Sequence, residues 1–253
     1  MNLRPPRPQR GALTGLRYTP KYFASINNRN ISYNILFIYY WLFNNPVKDK
    51  NALNLFETYR ENILPFDGEV INNGVIINQH DASHYFDKLL KTIEWSHDEL
   101  IIFGKHIRTK RKVAWYGDVG IEYSYSHKTK KAVPWTFELI ELKKNVENIT
   151  KTSFNSCLLN LYHNGEEGMS WHSDNEKELG ENPVIASLSL GAQRKFVFKH
   201  RITKQKVSLF LESGSLLMMK GKTQEHWLHA LPKTKKVNNP RINITFRRII
   251  KVV

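Results

Sequence analysis

At 253 residues, 41% hydrophobic and 24% charged, the chain is long enough to bury a sizeable core and reads as one large folded domain, or one with an extension. A net charge of +15 and a pI near 9.8 point to a polyanionic partner, nucleic acid ahead of an anionic membrane surface. One cysteine, Cys157, excludes an internal disulfide and a cysteine-rich zinc site and fits a reducing, intracellular setting.

Residues 1–48 contain no Asp or Glu and begin "MNLRPPRPQRGALTG", so residues 1–50 read as a basic, poorly ordered tail. The longest apolar run, "ILFIYYWLF" at 35–43, is nine residues: too short to cross a bilayer and too deep for an ordinary signal peptide. Residues 51–150 read as an α/β extension. A helix is predicted over 81–95, where Phe86, Leu89, Leu90 and Ile93 recur at helical spacing and Asp81 or Ser83 caps the start. A second is predicted over 133–150, with Pro134 near its first turn and Leu139, Leu142 and Val146 on one face.

After Thr150 the texture changes. "FNSCLLNLYH", "PVIASLSLG", "RKFVFKHR", "KQKVSLFLESG", "SLLMMKG", "HWLHALP" and "RINITFRRI" are short runs separated by turn residues, the pattern of a β-sandwich or barrel. The predicted architecture is mixed but mainly β: a jelly-roll core over 151–253 behind the α/β extension.

Within "MSWHSDNEKELG", His172 and Asp174 are two apart, so on extended chain they share a face. That suits a facial 2-His-1-carboxylate iron site if a second histidine arrives from elsewhere. His226 and His229 are the candidates. Three apart on a strand they face opposite sides, and spacing does not choose between them. In the last run Arg241, Asn243, Thr245 and Arg247 share one face and Ile242, Ile244 and Phe246 the other. Two guanidiniums suit an acidic co-substrate, the alternative being an outward solvent face. Asn160 and Tyr162 share a face in the same manner. "IIFGKHIRTKRK" sets Phe103 and Gly104 before Lys105, Arg108, Lys110, Arg111 and Lys112: an aromatic tip with cations for phosphates, or a core Phe followed by a solvated charge run. From Arg194 to Val253 there are 15 Lys and Arg against two acids, a net of +13.

From about Ile101 to Ile249 these motifs, with "YSYS" and "VAWYGD", resemble the AlkB family of Fe(II)/2-oxoglutarate-dependent nucleic-acid dealkylases, and within it the animal homologues that repair alkylated DNA and RNA. The resemblance implies a double-stranded β-helix binding Fe(II) through His172, Asp174 and His229, with 2-oxoglutarate and O2 as co-substrates. Arg241 and Arg247 match the family's two arginines, with Arg247 expected on the far carboxylate of 2-oxoglutarate. Asn160, Tyr162, Asn243 and Thr245 match the pocket's polar lining. Phe103, Gly104 and Lys105 match a base-flipping finger, and Tyr123, Ser124 and Tyr125 a substrate lid. Asn175 stands where relatives often carry a second acid, with Glu176 next. The implied activity is oxidative demethylation of 1-methyladenine and 3-methylcytosine in DNA or RNA. A monomer is the default expectation, with no membrane or obligatory protein partner, acting inside the cell in cytoplasm, nucleoid or nucleus, and the N-terminal segment leaves targeting open. Two alternatives stay in view: a hydroxylase with the same chemistry on a non-nucleic-acid substrate, and a catalytically silent nucleic-acid-binding module.

Overall fold

The computed structural model describes residues 61–102, 105–125 and 128–250, within one unit spanning Tyr59–Val253. The tail expected over 1–50, and Phe103 and Gly104, lie outside the described residues. Lys105 falls in β3 and Tyr123, Ser124 and Tyr125 in β4 as backbone, their side chains lying outside the description.

In chain order the elements are β1 (Glu69–Val75), α1 (Gln79–Thr92), β2 (Ser96–Ile102), β3 (Lys105–Gly117), β4 (Glu122–Tyr125), β5 (Lys128–Lys131), β6 (Val133–Pro134) and α2 (Phe137–Thr150). There follow β7 (Ser156–Tyr162), β8 (Met169–His172), β9 (Ile185–Gly191), β10 (Arg194–His200), β11 (Lys206–Leu211), β12 (Ser215–Lys220), the short helix α3 (Thr223–His226), β13 (Trp227–Leu231) and β14 (Arg241–Arg247). Each of the seven runs expected after Thr150 is a strand.

Both longer helices start earlier or later than predicted, for reasons at their caps. Asn78, not Asp81 or Ser83, opens α1: it is extended, and its side-chain oxygen accepts from the Asp81 N–H at 3.0 Å. In α2 the cap is Thr136, whose hydroxyl accepts from the Leu139 N–H at 3.3 Å. Pro134, expected in the first turn, belongs instead to β6, which pairs with β3. The predicted apolar face holds, since Leu139, Leu142 and Val146 are fully buried.

Among the described residues a large sheet runs β1-β12-β9-β14-β7-β3-β2, with β6 beside β3. A smaller sheet runs β11-β10-β13-β8, and β4 pairs with β5. Pairings are antiparallel apart from β3 with β6. The large sheet therefore crosses residue 150, drawing β1, β2 and β3 from the expected extension into the sheet of the jelly-roll core.

Strand alternation divides the interior. On one face of the large sheet Ala186, Leu188, Leu190, Ile242, Ile244 and Phe246 pack against Leu89, Leu139, Leu142 and Val146 of the helices. On the other face a second apolar cluster contains Ile185, Leu217 and Met219 with Phe198 and Trp227 of the small sheet. This arrangement answers the open question about β14. Its polar face is turned away from the helix side and is largely removed from solvent, with Arg241 only 2% exposed and Thr245 only 6%. Gly168 lets β8 approach β13, because a Cβ there would lie 2.4 Å from the Leu231 carbonyl oxygen.

Candidate active site

β8 ends at His172, and its register with β13 sets His172 opposite His229. The two rings meet edge to face with centroids 4.2 Å apart. Asp174 follows two residues after His172, and the ligand atoms of His172, Asp174 and His229 lie within 4.8 Å of one another. Two imidazoles and one carboxylate on a single face form the donor set of a facial iron triad.

Hydrogen bonding tests whether those donors fit a metal. His172 Nδ1 is 2.9 Å from the Ser170 carbonyl oxygen, which can only accept, so the proton sits on Nδ1 and Nε2 keeps its lone pair for a metal. His229 turns Nε2 toward Asp174, at 3.9 Å from Oδ2, while its buried Nδ1 has no hydrogen-bond partner. Burial pushes the His229 pKa down to about 3 despite the neighbouring Asp174 charge, so this ring is neutral and metal-competent at physiological pH. Burial would raise the Asp174 carboxyl, but Arg247, His229 and His172 together hold it below the usual carboxylate range.

His226 does not enter the triad. It lies near Asp67 and His200, a second His/Asp group. There His200 Nδ1 accepts from the Thr203 N–H at 3.1 Å, so the neutral ring carries its proton on Nε2, the atom that faces Asp67. That tautomer opposes metal binding at Nε2, the reverse of His172.

A cavity of about 710 Å³ opens between the sheets, lined by the triad and by Asn160, Tyr162, Arg241, Asn243, Thr245 and Arg247. Asn243 Nδ2 donates to Ser187 Oγ at 2.8 Å, and Thr245 Oγ1 donates to Asn243 Oδ1 at 3.2 Å. Burial pushes the Tyr162 phenol up, keeping it a neutral donor beside Arg111 and Arg241. Arg241 donates to Ser189 Oγ at 2.8 Å and to the Leu211 carbonyl at 3.4 Å, both neutral acceptors, and its buried Nε has no hydrogen-bond partner. Burial pushes its pKa down to about 10, which leaves it a cation at neutral pH. A buried guanidinium held by neutral groups is electrostatically incomplete until an anion meets it.

Arg247 stands elsewhere than expected. Instead of facing a distal carboxylate it donates to Asp174 Oδ1 at 2.8 Å and lies 3.7 Å from Glu176 Oε1, at the metal end. The antiparallel register explains the separation: Arg241 pairs with Tyr162, whereas Arg247, six residues on, pairs with Ser156 at the other end of β7.

Three further residues have roles that sequence reasoning misses. Arg111, grouped by sequence with the solvent cations for phosphate, is 6% exposed, lines the cavity and donates to Asn160 Oδ1. Alternation does not single it out cleanly, since Val113, Ala114 and Trp115 of β3 line the cavity with it. Gln224 accepts from the Asp174 N–H at 2.9 Å. Ser189, paired with Asn243 across the sheet, supports Arg241. Neither of these last two has a motif to announce it. Of the two residues after Asp174, Asn175 is exposed while Glu176 lines the cavity. Burial raises the Glu176 carboxyl pKa, opposed by Arg247 and aided by Asp174.

A profile of the 2OG-Fe(II) oxygenase superfamily matches residues 69–247. The DNA oxidative demethylase ALKBH2 of Homo sapiens is 39% identical over 187 residues, 70% of this chain and 72% of that protein. The chain belongs to the AlkB family. A second relative of this AlkB chain, alpha-ketoglutarate-dependent dioxygenase alkB homolog 3 of Bos taurus, is 37% identical over 183 residues, 68% of this chain and 63% of that protein. ALKBH2 of Arabidopsis thaliana is 32% identical over 194 residues, 66% of this chain and 62% of that protein. As an AlkB-family enzyme the protein is a dioxygenase, with Fe(II) as metal and 2-oxoglutarate and O2 as co-substrates, and its fold is the mainly β jelly roll expected. Among the described residues no helix is long and apolar enough to cross a membrane.

Proposed function

We propose that this AlkB-family chain oxidatively demethylates N-alkylated bases, 1-methyladenine and 3-methylcytosine, in DNA or RNA, a direct repair of alkylation damage that releases formaldehyde and succinate. The carrying observation is one cavity with a preorganised face of two imidazoles and an ionised carboxylate at one end and the carboxylate-free Arg241 at the other. The names of the human and bovine relatives, a DNA oxidative demethylase and an alpha-ketoglutarate-dependent dioxygenase, support the substrate and the chemistry.

His172 Nε2, Asp174 and His229 would hold Fe(II), which together with 2-oxoglutarate and O2 supplies the oxidising power that hydroxylates the methyl carbon. Arg241 receives the far carboxylate of 2-oxoglutarate, with Tyr162 and Asn160 beside it. Arg247 keeps the Asp174 carboxylate ionised and oriented. Glu176, lining the cavity, offers a carboxylate to the positive charge of a methylated base, and Asn175 contributes from outside. The sheets exclude water around the reacting carbon. Phe103, Gly104 and Lys105 take the role of a base-extruding finger, with Tyr123, Ser124 and Tyr125 closing over the flipped base. We assign residues 51–150 this recognition role, 151–253 the catalytic core and 1–50 a tail. Exposed Lys195, Lys204, Lys206, Lys233, Lys235 and Lys236 suit a phosphate-binding rim. We infer a monomer needing no obligatory protein partner, acting inside the cell where its nucleic acid lies, in cytoplasm or nucleus.

The test is anaerobic reconstitution with Fe(II) and 2-oxoglutarate, then exposure to O2 with oligonucleotides bearing each lesion, in DNA and in RNA. Mass spectrometry should show loss of one CH2 per lesion, abolished in H172A. Succinate formation with every lesion intact would retain the dioxygenase and reject nucleic acid as substrate in favour of another hydroxylation.

A further inference from the structure

We infer that Gln224 is a positioning residue of the metal site, holding the iron-binding aspartate through its backbone while Arg247 holds the carboxylate. This rests on the reading of His172, Asp174 and His229 as the metal triad. Gln224 is only 3% exposed, a rare fate for an amide side chain. Its Oε1 accepts from the Asp174 N–H at 2.9 Å, and an N–H donor requires the oxygen there, which fixes the amide's orientation. The other end of the amide meets a weak acceptor, Met219 Sδ at 3.6 Å. The bond to Asp174 is therefore the strong interaction that a glutamine provides at this position and an apolar residue would not.

The support beneath Gln224 is itself anchored. The preceding residue, Thr223, is fully buried; its hydroxyl accepts from the Glu69 N–H at 2.8 Å and donates to the Lys220 carbonyl at 2.6 Å. α3 is thus tied to β1 and to the end of β12, two neighbouring strands of the large sheet. Five residues beyond Gln224 the same stretch of chain delivers His229 from the small sheet. One segment consequently supplies a ligand and braces another, joining the two halves of the triad at fixed spacing. Asp174 is held at two points, its N–H by Gln224 and its Oδ1 by Arg247, leaving Oδ2 on the side of His229. Neither grip alone prevents the residue from pivoting about the other.

Q224M keeps the length and apolar packing of the side chain and removes the acceptor. Mn(II), a redox-stable probe, is titrated into wild type, Q224M, H172A and L142A by calorimetry, with metal-free melting temperatures measured alongside. Removal of a hydrogen-bonding support behind a ligand is expected to weaken Mn(II) binding about 10- to 100-fold in Q224M. L142A, a cavity on the helix side of the large sheet, should lower the melting temperature and leave Mn(II) affinity unchanged, separating positioning from general destabilisation. Mn(II) affinity in Q224M equal to wild type, whatever its melting temperature, would overturn the inference. Absence of Mn(II) binding by wild type, or equal binding by H172A, would instead reject the triad beneath it. If Q224M does not fold, Q224L carries the test: it also lacks the acceptor, so Mn(II) affinity should again fall about 10- to 100-fold, and affinity equal to wild type overturns the proposal.

Discussion

Arg241 and Arg247 leave one strand on the same face, yet they meet different chemistry. Arg241 is held by neutral groups in the depth of the cavity, whereas Arg247 is bonded to Asp174. R241M should accordingly raise KM for 2-oxoglutarate by about tenfold or more with a smaller change in kcat, since it removes a contact made in ground state and transition state alike. R247M should instead weaken Mn(II) binding, because it strips a charge-assisted hydrogen bond of about 1.5–3 kcal/mol from a metal ligand. Steady-state kinetics against co-substrate and Mn(II) calorimetry separate the two. His229 carries a pH dependence. Its folded pKa, about 3, lies below the ordinary 6.5, so unfolding takes up protons between those values. Its contribution to metal-free stability is complete above about pH 6.5 and is lost as pH falls toward 3. Melting temperatures of metal-free protein across that window should show a steeper acid decline in wild type than in H229Q, which lacks the titrating ring.

The elements that frame the cavity draw on local chemistry of different strength. α2 depends on its cap and on its buried face: T136A should cost about 1 kcal/mol, while L142A should cost roughly 2–5 kcal/mol through the cavity it leaves. Urea unfolding of both variants checks that order, and a T136A loss equal to that of L142A would contradict it. The strands after Thr150 are legible in the sequence because short apolar or alternating runs are bounded by turn residues. β3 is not, because "KHIRTKRKVAWYG" is dominated by cations and reads as a solvated run. Its strand character comes from pairing with β7 and β2, neighbours that lie far off in sequence or across an irregular register. β1, "EVINNGV", is hidden by its Asn-Asn-Gly, which coincides with an irregular register against β12.

At the scale of the molecule, charge and metal are the two variables an experimenter controls. With the exposed lysines of the β10–β11 hairpin and the β13–β14 loop as the proposed phosphate-binding rim, oligonucleotide binding is expected to be an ion-exchange process. Affinity should fall log-linearly with salt, and K235A/K236A together should reduce that slope by about 2, one for each phosphate that a lysine no longer neutralises. Fluorescence anisotropy over a salt series measures both. Metal binding should also stabilise the fold. At about 100 times the dissociation constant, Mn(II) adds about 2.7 kcal/mol, visible as a raised melting temperature that EDTA reverses.

The shared face of His172 and Asp174, the polar face of β14 and the buried face of α2 were determined by the sequence alone, because each is a local property of extended or helical chain with a fixed period. Motif order could name His229 over His226, but the reason is tertiary: β13 pairs with β8 so that His229 meets His172, while His226 falls beside His200 and Asp67. Tertiary structure alone decided which arginine lies deep among neutral groups and which bonds Asp174, that Arg111 turns inward, and that Gln224 reaches Asp174. Each of these depends on strand register or on contacts across tens of residues, and such relations are set by how sheets pair and pack rather than by any spacing along the chain.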